Sequence, residues 1–390
     1  MEVSETRTDA SVWRAPGMPA LLSATAAGFS GFAVMLPVAP LWVVHGGAGS
    51  GGAGAVNGML MLFTVLTQPF VPRALRRFGW GPVMVAGMLL LGLPSLTHLV
   101  TDDLGAVLGL SAVRGLGFGV ITVVGSAAVA ELVEPARRGA AIGAYGLAIA
   151  GPHLLLLPAG PWLAEQVGFW VVFALGTLPV LGCLPALALG RHLSAPGGDE
   201  DGPPERRGPV VARLLRPMAL LLGATVAGGA LLTFAPQMVD EAALATGGLL
   251  VLTAAAALAR WQIGGLADRH GAQLFLWPLV VLTVLGLGLT AYAVGASSVT
   301  QSVTFLVGTA VVGACYGALQ NLTLVLSFHA VERRDYGVAS AVWNIGFDAG
   351  TGLGAVVVGA VAAGFSFSTA LLVAAGFSLA TLPLALFRPR

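Results

Sequence analysis

The sequence predicts an all-α integral membrane protein with about twelve transmembrane helices arranged as two pseudo-symmetric bundles of six. Three observations predict it. Of 390 residues, 56% are hydrophobic and only 9% charged, with a mean hydropathy of +0.88, whereas a soluble domain carries about 25% charged residues. Apolar runs of roughly 18 to 28 residues, long enough to cross ~30 Å of hydrocarbon as helices, recur along the chain. Arginines appear in every other connection between those runs. The alternating segments of ~10 residues that would mark a membrane β-barrel are absent.

Taken in order, the spans fall near 17–44, 53–72, 80–99, 104–131, 139–163, 167–190, 217–238, 243–264, 272–295, 301–329, 337–363 and 367–387. There is no lysine. Arg7 and Arg14 precede the first span, and Arg73, Arg76 and Arg77 follow the second. Arg137 with Arg138, then Arg191, Arg206, Arg207, Arg213 and Arg216 come next. Arg260 with Arg269, Arg333 with Arg334, and Arg388 with Arg390 complete the series. The intervening connections hold Gly46 to Gly52, Asp102 and Asp103, Glu165, Asp240 and Glu241, and Ser297-Ser298, with no arginine. Loops rich in Lys/Arg stay cytoplasmic, so both termini are expected inside. The lysine-free, Gly-, Ala- and Arg-rich composition suggests a GC-rich bacterial gene, and hence the bacterial cytoplasmic (plasma) membrane. The first run exceeds the ~7–15 residues of a signal-peptide core and reads as a retained helix.

The longest polar stretch, His192 to Arg213, is charged and rich in Gly and Pro. It reads as a cytoplasmic linker between an N-terminal bundle, 1–191, and a C-terminal bundle, 214–390. The halves echo each other. Ala112-Val-Arg-Gly-Leu-Gly-Phe-Gly119 aligns with Ala310-Val-Val-Gly-Ala-Cys-Tyr-Gly317, placing Gly115 and Gly119 on Gly313 and Gly317. Each pair has the small-xxx-small spacing that lets helix backbones approach closely. Pro72-Arg-Ala-Leu-Arg-Arg-Phe-Gly79 likewise aligns with Gly264-Gly-Leu-Ala-Asp-Arg-His-Gly271.

Two charges lie deep within spans. Arg114 is ~15 Å into the fourth, near the midplane. A central arginine costs roughly 2.5–3.5 kcal/mol on insertion scales, so it must face the interior or a watery cavity. It either attracts an anionic group or tunes a carboxylate, or it is tied to backbone carbonyls and holds a helix bend. Asp348, ~16 Å into the eleventh span, is the one carboxylate at such depth. Asn344, Asp348 and Thr351 recur on one helix face. Burial disfavours the charged form of a carboxylate and a nearby cation favours it. A protein that moves between two shapes can therefore load and unload a proton at Asp348, with Arg114 as modulator. The alternative is a packed polar stripe held in one charge state.

Over nearly its whole length the chain resembles the major facilitator superfamily. The resemblance rests on several stretches. Gly264-Gly-Leu-Ala-Asp268-Arg269-His-Gly271 looks like the family's G-x-L-A-D-R-x-G loop, and Leu110-x-x-x-Arg114-Gly-Leu-Gly-Phe-Gly119 like its fourth-helix arginine motif. Pro135-Ala-Arg137-Arg138-Gly139 looks like the loop before the fifth helix. Gly146-x-x-x-x-Gly151-Pro152 is similar to the fifth-helix Gly-Pro motif of the drug:proton antiporter branch. In the N-terminal loop copy Arg76 stands at the aspartate position and Pro72 at the first glycine, so the complete latch is expected only in the C-terminal half. There Asp268 is expected to cap a helix N-terminus, with Arg269, Gly264 and Gly271 around it.

The resemblance further implies that the first, fourth, seventh and tenth helices line a path. Candidate cavity residues are Phe29, Met35, Trp42, Phe118, Thr122, Phe234, Gln237, Tyr316, Gln320 and Asn321, together with Asn344, Thr351 and His153. Mixed aromatic and amide surfaces suit an amphipathic organic molecule. The expected activity is secondary active transport: proton-coupled efflux of a drug or secondary metabolite by alternating access, by a protein functional as a monomer. Proton-driven or facilitated uptake, and a non-transporting scaffold or sensor, are the alternatives.

No enzyme is indicated. The glycine run at 46–54 lacks the GK[ST] ending of a phosphate-binding loop, no G-x-S-x-G elbow is present, and no His/Cys/Asp cluster has metal-ligand spacing. No cofactor is expected. A net charge of +1 argues against a nucleic-acid partner. Cys183 and Cys315 lie in apolar runs and read as small buried hydrophobes.

Overall fold

The computed structural model describes residues 13, 15–133, 138–193, 208–332 and 335–387. Among them every regular element is a helix. Twelve are long and apolar enough to cross a membrane: Met18–His45, Ser50–Phe78, Trp80–Thr97, Leu104–Val129, Ala144–Gln166, Phe169–Gly190, Val210–Met238, Ala242–Ala267, Gln273–Tyr292, Val299–His329, Val338–Gly364 and Phe367–Leu386. They are numbered spans 1 to 12. The core of the linker, 194–207, lies outside the described residues, as do Arg7, Arg14, Glu134, Arg137, Arg333, Arg334, Arg388 and Arg390.

Two ends differ from the hydropathy reading for one reason. A helix leaving the bilayer goes on satisfying its own backbone, so it need not stop where the apolar run does. Span 2 carries on through Val71–Phe78, with Val71 and Leu75 buried while Arg73, Arg76 and Arg77 stay exposed. The helix of span 7 starts at Gly208, inside the stretch read as linker. Just past that stretch the Arg216 guanidinium donates to Gln273 Oε1 at 2.6 Å and to the carbonyls of Leu384 and Phe387 at 3.0 and 2.7 Å. It ties span 7 to spans 9 and 12.

Within each half the packing repeats. A Cβ on Gly115 would strike the Leu60 carbonyl oxygen, and one on Gly119 would lie 2.6 Å from that of Thr64. In the other half, Gly313 and Gly317 sit against the carbonyls of Leu252 and Ala256 in the same way. Span 4 thus packs backbone to backbone on span 2, and span 10 on span 8. The loop that follows each of these partners ends its helix on a glycine of positive φ, Gly79 at 80° and Gly271 at 86°, a conformation glycine adopts without Cβ strain.

The halves meet mainly where span 2 packs on span 11 and span 5 on span 8. The first contact closes the arginine-free end. Ser50 Oγ donates to the Gly359 carbonyl at 3.3 Å, and Gly54 and Gly58 bring the span 2 backbone against Ala355 and Val356. At the arginine-bearing end the last turns of span 2, Val71–Phe78, pack on spans 3 and 4. Span 1 breaks at Leu36-Pro37. Pro40 has no N–H for the Leu36 carbonyl, and Asn57 of span 2 supplies the donor instead, Nδ2 to O at 2.9 Å. The same amide donates to Thr233 Oγ1 of span 7 at 3.0 Å, joining the halves.

Candidate functional site

Asp348 is 4% exposed. Its Oδ2 accepts from Gln68 Nε2 of span 2 at 2.7 Å, so the carboxyl group bonds across the junction of the halves. A buried polar group needs such a partner. Gln68 sits where Pro69 and Pro72 turn the helix through a short 3₁₀ segment, Gln68–Phe70, which fixes the direction of its amide. The polar stripe on span 11 divides. Thr351 donates to its own helix at the Phe347 carbonyl, 2.9 Å away. Asn344 donates back to the Ser340 carbonyl at 2.9 Å. Of the three side chains, Asp348 alone reaches the other half through a hydrogen bond.

Arg114 does not join Asp348. At 1% exposure it donates from Nε to the Leu91 carbonyl and from Nη2 to the Gly31 carbonyl, both at 3.3 Å. Span 3 is interrupted at Leu93 ahead of Pro94, and Arg114 fastens this segment to span 1. Two of the guanidinium's donors go to backbone inside the N-terminal bundle, and the Asp348 carboxyl is paired with Gln68.

A second deep arginine was missed. The alternation of charge assigned Arg260 to a connection, but it stands within span 8, inside the helix Ala242–His270. Its Nη1 donates to Gln320 Oε1 at 3.1 Å, while Asn321 Nδ2 holds the Arg260 main-chain carbonyl at 2.9 Å. Arg260 is exposed, yet its charge interacts with Tyr316 of span 10 and with His153 of span 5 in the other half. Arg260 is thus accessible while its charge acts on groups of both halves, which places it between them. The available signal was depth: Arg260 lies well inside an apolar run that continues past it.

Around this line of polar groups the remaining candidates separate. Phe118 stacks on Phe32 at 3.8 Å, and Phe29 and His153 pack against the pair. His153 Nδ1 meets the Ile149 carbonyl at 2.9 Å. Phe118 and His153 thus belong to one cluster and Gln320 to the partners of Arg260, whereas Phe234 stands apart from both. It is fully buried against Phe367, ring centroids 5.4 Å apart, and under Gly359, because the close approach of spans 2 and 11 seals that level. Met35 is fully buried too.

Trp42 lies at the arginine-free end, donating to the Thr101 carbonyl at 2.9 Å and stacking on His45. Gln237 is beside Pro236 and Val239, which line a cavity of about 290 Å³ at that end with His45, Glu165 and Asp240. Thr122 donates to Gly119 of its own helix. Gly151 precedes Pro152 inside span 5, and a Cβ there would meet nothing within 4 Å. The side chain of Asp268 lies outside the described residues; Arg269 is exposed, and Gly264 has its nearest neighbour, Asn321 Nδ2, at 3.7 Å from a built Cβ. Among the described residues no three His, Cys, Asp or Glu side chains gather to hold a metal ion.

Comparisons with known proteins agree with this architecture. The structure superposes on a point mutant of the nucleoside transporter NupG with a TM-score of 0.73 at 13% identity, covering 95% of this chain and 100% of that one. It superposes equally, at 0.73 and 14% identity, on a bacterial homologue of the human lysosomal transporter Spinster in its inward-facing, unoccupied conformation, covering 96% of each chain. No curated protein matches the sequence. The family model of the Major Facilitator Superfamily matches residues 21–297 and again 263–390; with twelve spans packed as two related halves, the chain belongs to that superfamily of membrane transporters.

Proposed function

We propose that the protein exports a small organic compound in exchange for protons, by rocking its two halves around the central cleft. The observation that carries the reading is the Asp348–Gln68 hydrogen bond. It joins a buried carboxyl group of one half to an amide of the other, so separating the halves at this level must break the bond and change the water around Asp348. A carboxyl group whose hydration alternates takes a proton in one state and releases it in the other. Outward direction is supported by the Gly151-Pro152 motif, whose open surroundings leave span 5 free to bend. The arginine-bearing end, with both termini, is assigned to the cytoplasm of a bacterial plasma membrane. Asp268 and Arg269 are assigned to a latch at that end, and a single chain is taken as the working unit.

The test is proton flux in everted vesicles energised acid-inside, read with a pH dye across a panel of organic compounds. Wild type is expected to release protons on addition of a substrate, and Asp348→Asn to release none while still binding the compound. Full pH-driven transport by Asp348→Asn would overturn the coupling role. Uptake of substrate with protons in right-side-out vesicles would reverse the direction. No flux of either kind from folded, inserted protein would leave a non-transporting role.

A further inference from the structure

We infer that the cleft carries an oxyanion-binding site centred on Arg260, and that its ligand is an organic anion: a carboxylate on an aromatic or otherwise apolar body. The two deep arginines of this chain are used differently. Arg114 is sealed and bonded to two backbone carbonyls, which accounts for its charge structurally. Arg260 is exposed within a span, and a charge at such depth is retained for a partner. Among the described residues its head group has one hydrogen-bond partner, the neutral Gln320 Oε1 at 3.1 Å. Asp348 is engaged by Gln68, and the groups interacting with the Arg260 charge are the Tyr316 phenol and the His153 imidazole.

A guanidinium presents five donors in a planar fork that matches a carboxylate in two parallel bonds. Gln320 takes one donor of the fork, and among the described residues the others have no hydrogen-bond partner within the protein. The Tyr316 phenol interacts with the same charge. From the other half His153 meets the same charge, backed by Phe29 and by the Phe32–Phe118 stack. Such a group of rings suits a flat apolar body, and among the described residues it includes no carboxylate to bind a cation. Binding of the anion needs only this geometry; that the anion is cargo rests on the transporter reading above.

The experiment measures binding to the purified full-length protein in lipid nanodiscs by calorimetric titration. The probes are matched pairs: phenylacetate, 4-hydroxybenzoate and 2-naphthoate, each against its neutral amide. Wild type is expected to bind at least one acid about tenfold or more tighter than its amide, the scale of one charge-assisted contact. Arg260→Gln is expected to bring that ratio close to one, Arg260→Lys to keep part of it, and the exposed-surface control Arg73→Gln to leave it unchanged. Because the acid-to-amide ratio is taken within each variant, loss of folded protein does not imitate the effect. Equal binding of acid and amide by wild type, an unchanged ratio in Arg260→Gln, or no binding of any pair would overturn the inference. Flux in proteoliposomes separates the two readings. An acid bound through Arg260 but never moved keeps the site and removes transport. Neutral cargo moved equally by wild type and Arg260→Gln keeps transport and removes the anion.

Discussion

Asn57 shows how much one amide inside a membrane can hold. Its Nδ2 serves the Leu36 carbonyl that Pro40 leaves without a donor, and also the Thr233 hydroxyl of the other half. A buried acceptor without a partner costs about 1–3 kcal/mol. Asn57→Leu keeps the volume and removes both bonds, so it is expected to lower the unfolding midpoint of the detergent-solubilised protein by several degrees; an unchanged midpoint would mean the carbonyl finds water. Asn57 went unnoticed in the sequence because a lone amide in an apolar run has no motif around it. Arg114 and Asp348 stood out for the opposite reason, since a charge at depth is visible in composition alone. Which partner each one takes was not visible there.

At the scale of the helix pair, glycine positions divide into two groups by what surrounds them. Gly115 and Gly313 lie against the carbonyl oxygens of Leu60 and Leu252, while Gly146 and Gly151 have open space around them. Gly115→Leu and Gly313→Leu must push spans apart, and overpacking costs about 1–3 kcal/mol or more. Both are expected to reduce the yield of monodisperse protein on gel filtration. Gly151→Ala is expected to leave yield intact, and equal losses from all three would contradict the packing. The small-xxx-small spacing in spans 4 and 10 made their close approach legible, because the spacing itself is the mechanism of contact. Gly146 and Gly151 are five residues apart, so they fall on different faces of the helix, and neither has a close neighbour.

For the whole molecule, closure of the arginine-free end is the property that decides access. Ser50 meets Gly359, and Gly54 and Gly58 meet Ala355 and Val356. A short thiol cross-linker between cysteines placed at 50 and 359, in a background lacking Cys183 and Cys315, is expected to hold this state and stop flux, with recovery on cleavage. Undiminished flux in the linked protein would show that this end does not open during transport. The driving force is adequate for an anionic cargo: an anion leaving and a proton entering move two charges in the same electrical sense. That amounts to about 4.6 kcal/mol at 100 mV, from ~2.3 kcal/mol per charge.

Twelve spans, their order and the repeat between halves were readable from residues 1 to 390, because hydrocarbon demands long apolar helices whatever the sequence context. So were two of the charges that matter, Arg114 and Asp348. Partnership had to wait for the tertiary structure. Gln68 and Asp348 are far apart in the chain, and only the packing of span 2 on span 11 brings them to 2.7 Å. Arg260 already lay inside the run at 243–264 although it was grouped with the loop arginines; only tertiary packing sets its partners, Gln320 and Asn321 on span 10.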